Sequence, residues 1–548
     1  MKLLRRVLIL SHRYLGIALG LLVIVWFASG IVMMYAGGMP KLDAEWRLER
    51  LPVLDLTAVR LSVNDAVERV RESRAQSSAR RGGGAPGAEP VRLLTVMDRP
   101  AYRVGGTTIF ADTGELLSGM TLAQARTIAR RFADLPEDRV RHVDTLLTVD
   151  QWTLDQSRAL PLHKFVADDG RGTEMYVQPR SGEVTTVTTR RSRTLAWLGT
   201  IPHWLYFSSL RQNPQLWTRL VVWTSAAACV LSLLGLALGV TQFRKTTPFR
   251  LAKAIPYTGW MRWHYIAGVV FGVFTVTWAF SGLLSMEPFA WTTARGLAVA
   301  PDVFTGGAID PAAFGPMQPD EWRRVLHGRG IKEVDFARIQ DRSYYVVRLA
   351  PDAPVAEPAR ERLHQAYGIE GGVEAHRVLV DAKTHEIRRE PFSAASIVER
   401  LTAALPEEEI AASELLPEYD AYYYSRGRQR PLPVLRVKFN DAAETWFYVD
   451  PVMSQFVAQV HRWSRLERWL YNGLHSLDFP FWYDKRPLWD LGMIALLVGG
   501  LLTTCLGFVL GVQRLSRGTA RLARFWPHAG VLRKPDSAYP DVASRSDR

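Results

Sequence analysis

Apolar and polar positions separate sharply along this chain. Four segments, 14–35, 217–241, 265–286 and 489–512, are almost purely apolar, and the sequence between them is polar enough to be water-soluble. Each is 22 to 25 residues long, enough to cross a hydrocarbon core of roughly 30 Å at about 1.5 Å per residue. Their only charges, Arg219 and Asp490, lie in the first turn. The pattern predicts four transmembrane helices in contact with membrane lipid.

Basic residues set the orientation. Lys2, Arg5, Arg6 and Arg13 precede the first span. Arg244, Lys245, Arg250, Lys253 and Arg262 fill the short connection between the second and third, and Arg514, Arg517, Arg521 and Arg524 follow the fourth. These stretches are expected in the cytoplasm. The predicted order is N-terminus and first helix (1–36), outer region (37–216), second helix (217–243), cytoplasmic loop (244–263), third helix (264–286), outer region (287–488), fourth helix (489–512) and cytoplasmic tail (513–548). A basic start before an apolar run also describes a signal peptide. This run is too long for a typical one, and a related segment recurs in mid-chain, so it is read as a retained anchor.

The outer regions read as α+β. Residues 62–73 have amphipathic helical spacing, Ala101–Arg103 and Thr107–Ala111 are strand-like, and Asp112-Thr-Gly114 gives a turn. A second helix-then-strands unit follows at 121–187. The scheme recurs at 393–460, with alternation in Leu435–Phe439 and Thr445–Val449. Residues 75–90, rich in Ser, Ala, Arg and Gly, are expected to form a loop.

An internal duplication organises the chain. At an offset of 252, His12 meets His264, Gly16 meets Gly268, Gly20 meets Gly272, Trp26 meets Trp278, and Ser29-Gly30 meets Ser281-Gly282. At an offset of 272, held over about 90 residues, Leu160-Pro161 meets Leu432-Pro433, Trp197 meets Trp469, His203 meets His475 and Trp217 meets Trp489. Each half reads as helix out, outer domain, helix back. Two parallel repeats related by a pseudo-twofold axis along the membrane normal are expected.

The formal charge of +14 follows largely from this topology, so nucleic acid is not an expected partner. Both cysteines, Cys229 and Cys505, fall inside predicted spans. There is no C-x-x-C-H for covalent haem, no zinc-type spacing and no disulfide for the outer regions.

Of the twelve histidines, the duplication singles out two pairs. His12 and His264 stand at the cytoplasmic start of the first and third spans. His203 and His475 precede the second and fourth spans on the outer side. An imidazole beside apolar helices calls for a partner. Gly16 and Gly20 follow His12 at i+4 and i+8 on one helical face, as Gly268 and Gly272 follow His264, and Gly235/Gly239 and Gly507/Gly511 recur near the same depth. Bare backbone beside a histidine suits a flat ligand, and a porphyrin held between bundle helices fits the pattern. The expected pairs are His12 with His264 and His203 with His475, holding two haems. Small-x-x-x-small spacing is also the ordinary signature of close helix packing, and that reading stays open. Trp26 and Trp278 are expected to pack, and Trp197, Trp204, Trp217, Trp469, Trp482 and Trp489 form an interfacial belt.

Ser11-His-Arg-Tyr-Leu-Gly-Ile-Ala-Leu-Gly20 with Ser29-Gly30, Pro202-His203-Trp-Leu-Tyr-Phe207, and their second-half counterparts resemble the PepSY-associated transmembrane helix family. The units ending in Asp112-Thr-Gly-Glu-Leu116 and Tyr176–Gly182 look like PepSY modules. The resemblance covers nearly the whole chain. It implies a multi-pass protein of the bacterial inner membrane with large periplasmic domains. Some members are di-haem reductases of ferric siderophores, which implies two b-type haems on His12, His264, His203 and His475. No flavoprotein module or G-x-G-x-x-G is present, so the electron donor is expected to be a separate cytoplasmic protein or a quinol.

Candidate substrate residues are Trp152, Tyr422, Tyr423, Tyr424, Arg426 and Arg428, where aromatic and cationic side chains would attract an anionic ferric chelate. A strand edge packed by tyrosines explains the same residues without a ligand. His142, His163, His327, His364, His376, His385 and His461 have no counterpart in the other half and are read mostly as surface residues. The competing readings are a PepSY scaffold or peptidase regulator, which gives no reason for paired histidines, and an iron or siderophore transporter, for which four spans leave little room.

Overall fold

The structure, a computed structural model, describes residues 2–36, 38–78, 89–244, 254–288, 296–300, 302–350, 377–425 and 430–525. Four helices are long and apolar enough to cross a membrane: Leu3–Ala36, Pro214–Thr241, Gly259–Leu284 and Leu488–Arg517. Few of their side chains are buried, and Leu21, Trp223, Val240, Val270 and Leu502 are all more than half exposed. Apolar surface on this scale needs lipid to cover it. The first, second and fourth helices contain their expected apolar segments whole, while the third stops at Leu284, two residues short of the expected 265–286. The first, third and fourth extend into basic flanks, because Lys and Arg are good helix formers.

The chain divides into two compact units. One comprises Met1–Ile24, Ala227–Thr275 and Gly499–Arg548, the other Val25–Ala226 and Val276–Val498. The first is helical among its described residues. The second holds three β-sheets and the helices around them.

A four-stranded antiparallel sheet follows the order β4 (Val140–Leu146), β5 (Leu162–Ala167), β6 (Glu174–Gln178), β7 (Glu183–Thr188). Helix Leu122–Ala133 covers one face. Thr121 and Gln124 cap its start reciprocally, and Ala125, Ala129 and Phe132 fall at helical spacing against Phe165, Met175 and Val177. The second half repeats this with β11 (Ile410–Leu416), β12 (Val434–Phe439), β13 (Trp446–Asp450) and β14 (Gln455–Val460), under helix Ala394–Ala404.

The third sheet draws on both halves. Its order is β10-β9-β8-β1-β2-β3, with β1 (Val91–Val96), β2 (Arg99–Val104) and β3 (Thr107–Phe110) from the first half. β8 (Ile331–Ile339), β9 (Arg342–Leu349) and β10 (Arg377–Asp381) come from the second. The seam is the antiparallel pair β1–β8, with Val91 opposite Phe336 and Leu93 opposite Val334. Both faces of β9 are covered, as its alternation requires. Tyr345, Val347 and Leu349 face a core with Ala66, Val67 and Val70 of helix Val63–Ser78, while Tyr344 and Val346 face Ile397, Leu401 and Phe447. The two outer regions, read from sequence as one per half, are thus joined through a shared sheet.

Charge is buried beside that seam. Glu333 is 1 % exposed, and both terminal nitrogens of Arg47 donate to its Oε1 at 2.8 and 2.6 Å. Arg92 and Arg348 approach its Oε2 at 3.5 and 3.8 Å and also pair with Asp335. Several opposed charges share the site, so Glu333 is compensated from more than one side.

Candidate functional site

Each histidine pair predicted from the duplication comes together. The ring centres of His12 and His264 are 6.2 Å apart, with planes inclined at 33°. Those of His203 and His475 are 6.1 Å apart and inclined at 77°. The first pair lies in the helical unit and the second in the unit that carries the sheets.

The hydrogen bonds fix the tautomers. His12 Nδ1 is 3.1 Å from the Leu231 carbonyl and His264 Nδ1 is 2.9 Å from the Thr503 carbonyl. A carbonyl only accepts, so Nδ1 carries the proton and Nε2 keeps its lone pair. At His203, Nδ1 lies 3.1 Å from both the Trp26 carbonyl and Ser29 Oγ. At His475, Nδ1 lies 2.9 Å from Ser281 Oγ. Ser29 donates its own hydroxyl proton to Val25 O at 2.6 Å, and Ser281 donates to Trp278 O at 3.1 Å. Each serine oxygen is therefore left to accept from the imidazole. All four rings present Nε2 as a base, oriented through Nδ1 in the manner of metal-binding histidines.

Glycines make the room. A Cβ on Gly235 would stand 2.9 Å from His12 Cε1, and one on Gly507 2.8 Å from His264 Cε1. Gly30 and Gly282 face His203 and His475 at 3.6 and 3.8 Å. Of the glycines singled out in sequence, Gly16 and Gly268 have nothing nearer than 3.8 Å. Gly20 and Gly272 need correction. A Cβ on Gly20 would meet Phe508 Cδ2 at 2.9 Å and one on Gly272 would meet Leu236 Cδ2 at 2.7 Å, so both serve helix packing.

Chemically, two neutral imidazoles facing one metal ion through Nε2, at about 2.0–2.1 Å each, have ring centres about 6 Å apart. Both pairs have that separation. A closed zinc site wants four protein ligands, and among the described residues no group of three or more His, Cys, Asp or Glu is placed to hold a metal. The donor set fits an iron whose other ligands come from a macrocycle. The tryptophans take part as well as pack: Trp26 supplies a carbonyl to His203, and Trp278 Nε1 donates to the His475 carbonyl at 2.8 Å.

The candidate substrate residues separate. Tyr423 is fully buried, stacked on Tyr448 with its hydroxyl donating to Pro431 O at 2.9 Å. It belongs to the core, which is a correction. Tyr422 packs edge-on against Trp446 and Trp469, and Tyr424 OH accepts from Asn472 Nδ2 at 3.2 Å. Trp152 meets Trp197 edge-on at 6.5 Å. Arg426 and Arg428 lie outside the described residues, as do His364 and His376. The histidines without a counterpart in the other half are not all surface residues: His461 is 7 % exposed, and Thr145 Oγ1 bridges His142 and His163 at 3.1 and 2.9 Å.

Sequence reasoning missed Ser29, Ser281, Gly30 and Gly282 as parts of the site, although all four were visible as repeated positions. It also missed the carbonyls of Leu231 and Thr503, which leave no mark in a sequence. Compared with known proteins, residues 9–322 match the model of a family described as PepSY-associated TM region. No curated protein matches the chain.

Proposed function

The chain belongs to the PepSY-associated TM region family, and from that premise we propose that it is a di-haem reductase of the bacterial inner membrane. It would pass electrons from a cytoplasmic donor or quinol to a periplasmic ferric siderophore. The observation that carries this reading is the geometry of the two histidine pairs, each about 6 Å between ring centres with Nδ1 committed to an acceptor. His12 and His264 would hold one b-type haem, and His203 and His475 the other. Bound there, the group supplies a one-electron ferric/ferrous couple.

The chain's own residues supply the rest. Leu231 and Thr503 carbonyls, with Ser29 and Ser281, aim the imidazole lone pairs and raise their basicity. The apolar helices exclude water from the pairs. Parallel repeats about a twofold axis would place one pair toward each membrane face. Ferric iron in the substrate gains one electron and becomes ferrous, which hard oxygen donors hold less tightly, so the metal is released.

The test is an absorption spectrum of the detergent-purified protein, oxidised and dithionite-reduced, with a pyridine haemochrome assay. Two low-spin b-type haems per chain are expected, and His264→Ala should remove one of them alone. Loss of both haems in that variant would break the proposed pairing. A haem-free protein from haem-replete cells would leave a PepSY scaffold as the better reading.

A further inference from the structure

The duplication allows the surroundings of His203 and His475 to be compared position by position, and they differ. Arg468 and Asp478 bracket His475 and form an ion pair of 3.0 Å, with both side chains 6 % exposed. Arg468 also donates through Nε to the Ala421 carbonyl at 2.9 Å, and its guanidinium lies over the rings of Tyr424 and Trp469. Tyr471 packs against the His475 ring at 5.3 Å between centres, and Asn472 donates to Tyr424 OH. The segment is a continuous run of helix Arg462–Glu467, a π-turn Arg468–Gly473, and a last turn Leu474–Ser476.

At the offset of 272 the first half has Ala196 for Arg468, Tyr206 for Asp478, Gly199 for Tyr471 and Thr200 for Asn472. Its helix Arg190–Leu198 stops at Gly199, and His203 rides on a separate five-residue helix, Thr200–Trp204. Among the described residues no ion pair like Arg468–Asp478 joins the two ends of that segment, which is held by neutral bonds from Trp217 Nε1 to Trp204 O at 2.9 Å and Gln151 Nε2 to Tyr206 O at 2.8 Å. No aromatic ring can occupy position 199. A Cβ there would already meet Leu195 O, Val32 and Met33 at 3.1 to 3.3 Å.

We infer that the pair is built unequally: His475 is the fixed ligand, held by the Arg468–Asp478 staple, and His203 is the ligand that can let go. Arg468 and Asp478 are then positioning residues, acting through the segment that carries His475. The inference rests on the haem reading above. A single fixed histidine is enough to retain a haem, as the proximal histidine of globins does. The side of His203 is where an added ligand gains access.

The experiment compares His203→Ala and His475→Ala in the full-length purified protein, with haem per chain and spin state as readouts. The haem on His12 and His264 reports that each variant has folded. The expected result is two haems per chain in His203→Ala, one of them high-spin and returned to low-spin by added imidazole. His475→Ala is expected to fall to one haem. Equal retention or equal loss in the two variants overturns the inference. A wild-type protein without haem fails the underlying reading instead, so the two failures are distinct. A second comparison tests the staple itself. Arg468→Met with Asp478→Asn removes the pair without stranding a buried charge and should keep two haems. Adding His203→Ala to it should reduce the count to one, and retention of two would show that the staple does not hold His475.

Discussion

Gly507→Ala tests whether the His12–His264 pair depends on the space that glycine leaves. The new methyl carbon would lie 2.8 Å from His264 Cε1 and 3.3 Å from Nδ1. Carbon atoms pack best at about 3.5–4.0 Å, so the ring must retreat by roughly 0.7 Å. It is held by the Nδ1–Thr503 carbonyl bond of 2.9 Å, which a shift of that size stretches to about 3.6 Å, beyond hydrogen-bond range. Overpacking costs about 1–3 kcal/mol, and the lost hydrogen bond about 0.5–1.5 kcal/mol more. At 1.4 kcal/mol per decade the total is roughly a ten- to thousandfold weaker hold on a haem at that pair. Gly268→Ala is the informative contrast. Its methyl would meet Thr503 Cγ2 at an ordinary 3.8 Å, so the polypeptide alone has no objection to it. Loss of haem in Gly268→Ala would therefore report a ligand lying on that backbone. The assay is haem per chain by pyridine haemochrome, beside thermal unfolding of haem-free protein. Gly507→Ala with two haems and an unshifted spectrum would refute the reasoning.

Three further outcomes follow from the geometry. Ser281→Ala removes an acceptor of His475 Nδ1–H, which makes the imidazole a poorer donor to ferric iron. The potential of one haem should rise by about 20–60 mV, taking about 0.5–1.5 kcal/mol for the bond and 59 mV per decade for one electron, as read by a redox titration. Burial, with Glu287 nearby, pushes the Glu467 carboxyl up from 4.5 to about 7. The folded state then holds a proton the unfolded state has lost, so stability is full below pH 4.5 and falls as pH rises from 4.5 toward 7. Thermal unfolding against pH should show that slope, and Glu467→Gln should flatten it. Glu333→Gln removes the negative charge on which both terminal nitrogens of Arg47 converge, leaving Arg47 with Glu183 at 3.8 Å as its carboxylate. Loss of one member of a buried pair costs about 3–5 kcal/mol, and Asp335 still answers Arg92 and Arg348, so a drop near the low end of that range is expected in denaturant or thermal unfolding.

The four long helices were legible because lipid imposes a rule that sequence obeys visibly: some twenty consecutive apolar residues with charges at the ends. The histidine partners were legible because the duplication acts as an alignment of the chain with itself. What the glycines meet was not. The i, i+4 spacing does place Gly16 and Gly20 on one face, but Phe508 and Leu231 reach that face from other helices, and spacing within one helix carries no information about its neighbours. The three tyrosines at 422–424 misled for a related reason. The backbone bends here, with Tyr422 N and Tyr423 N both donating to Asp420 Oδ1, and that local turn sends Tyr423 into the core while Tyr422 packs at its margin against Trp446 and Trp469. The shared sheet was also invisible. The sequence reading placed no strand at 91–96 or 331–339, and only the assembled backbone shows β1 and β8 meeting edge to edge.

Which repeated positions differ between the halves follows from which atoms the site uses. Leu231 and Thr503 occupy equivalent places and differ freely, because their backbone carbonyls receive the imidazole protons and any residue supplies a carbonyl. Ser29 and Ser281 are identical, because there the hydroxyl itself is the acceptor and must pass its own proton to the helix backbone. Gly235 and Gly507 are identical, because a single methyl would strike the ring. Ala196 and Arg468 differ most of all, and neither touches an imidazole nitrogen. The bonds that aim each lone pair are the same in kind in both halves, while the supports one layer out diverge. That divergence is where two halves that share one sequence pattern can hold their histidines with different strength without losing either.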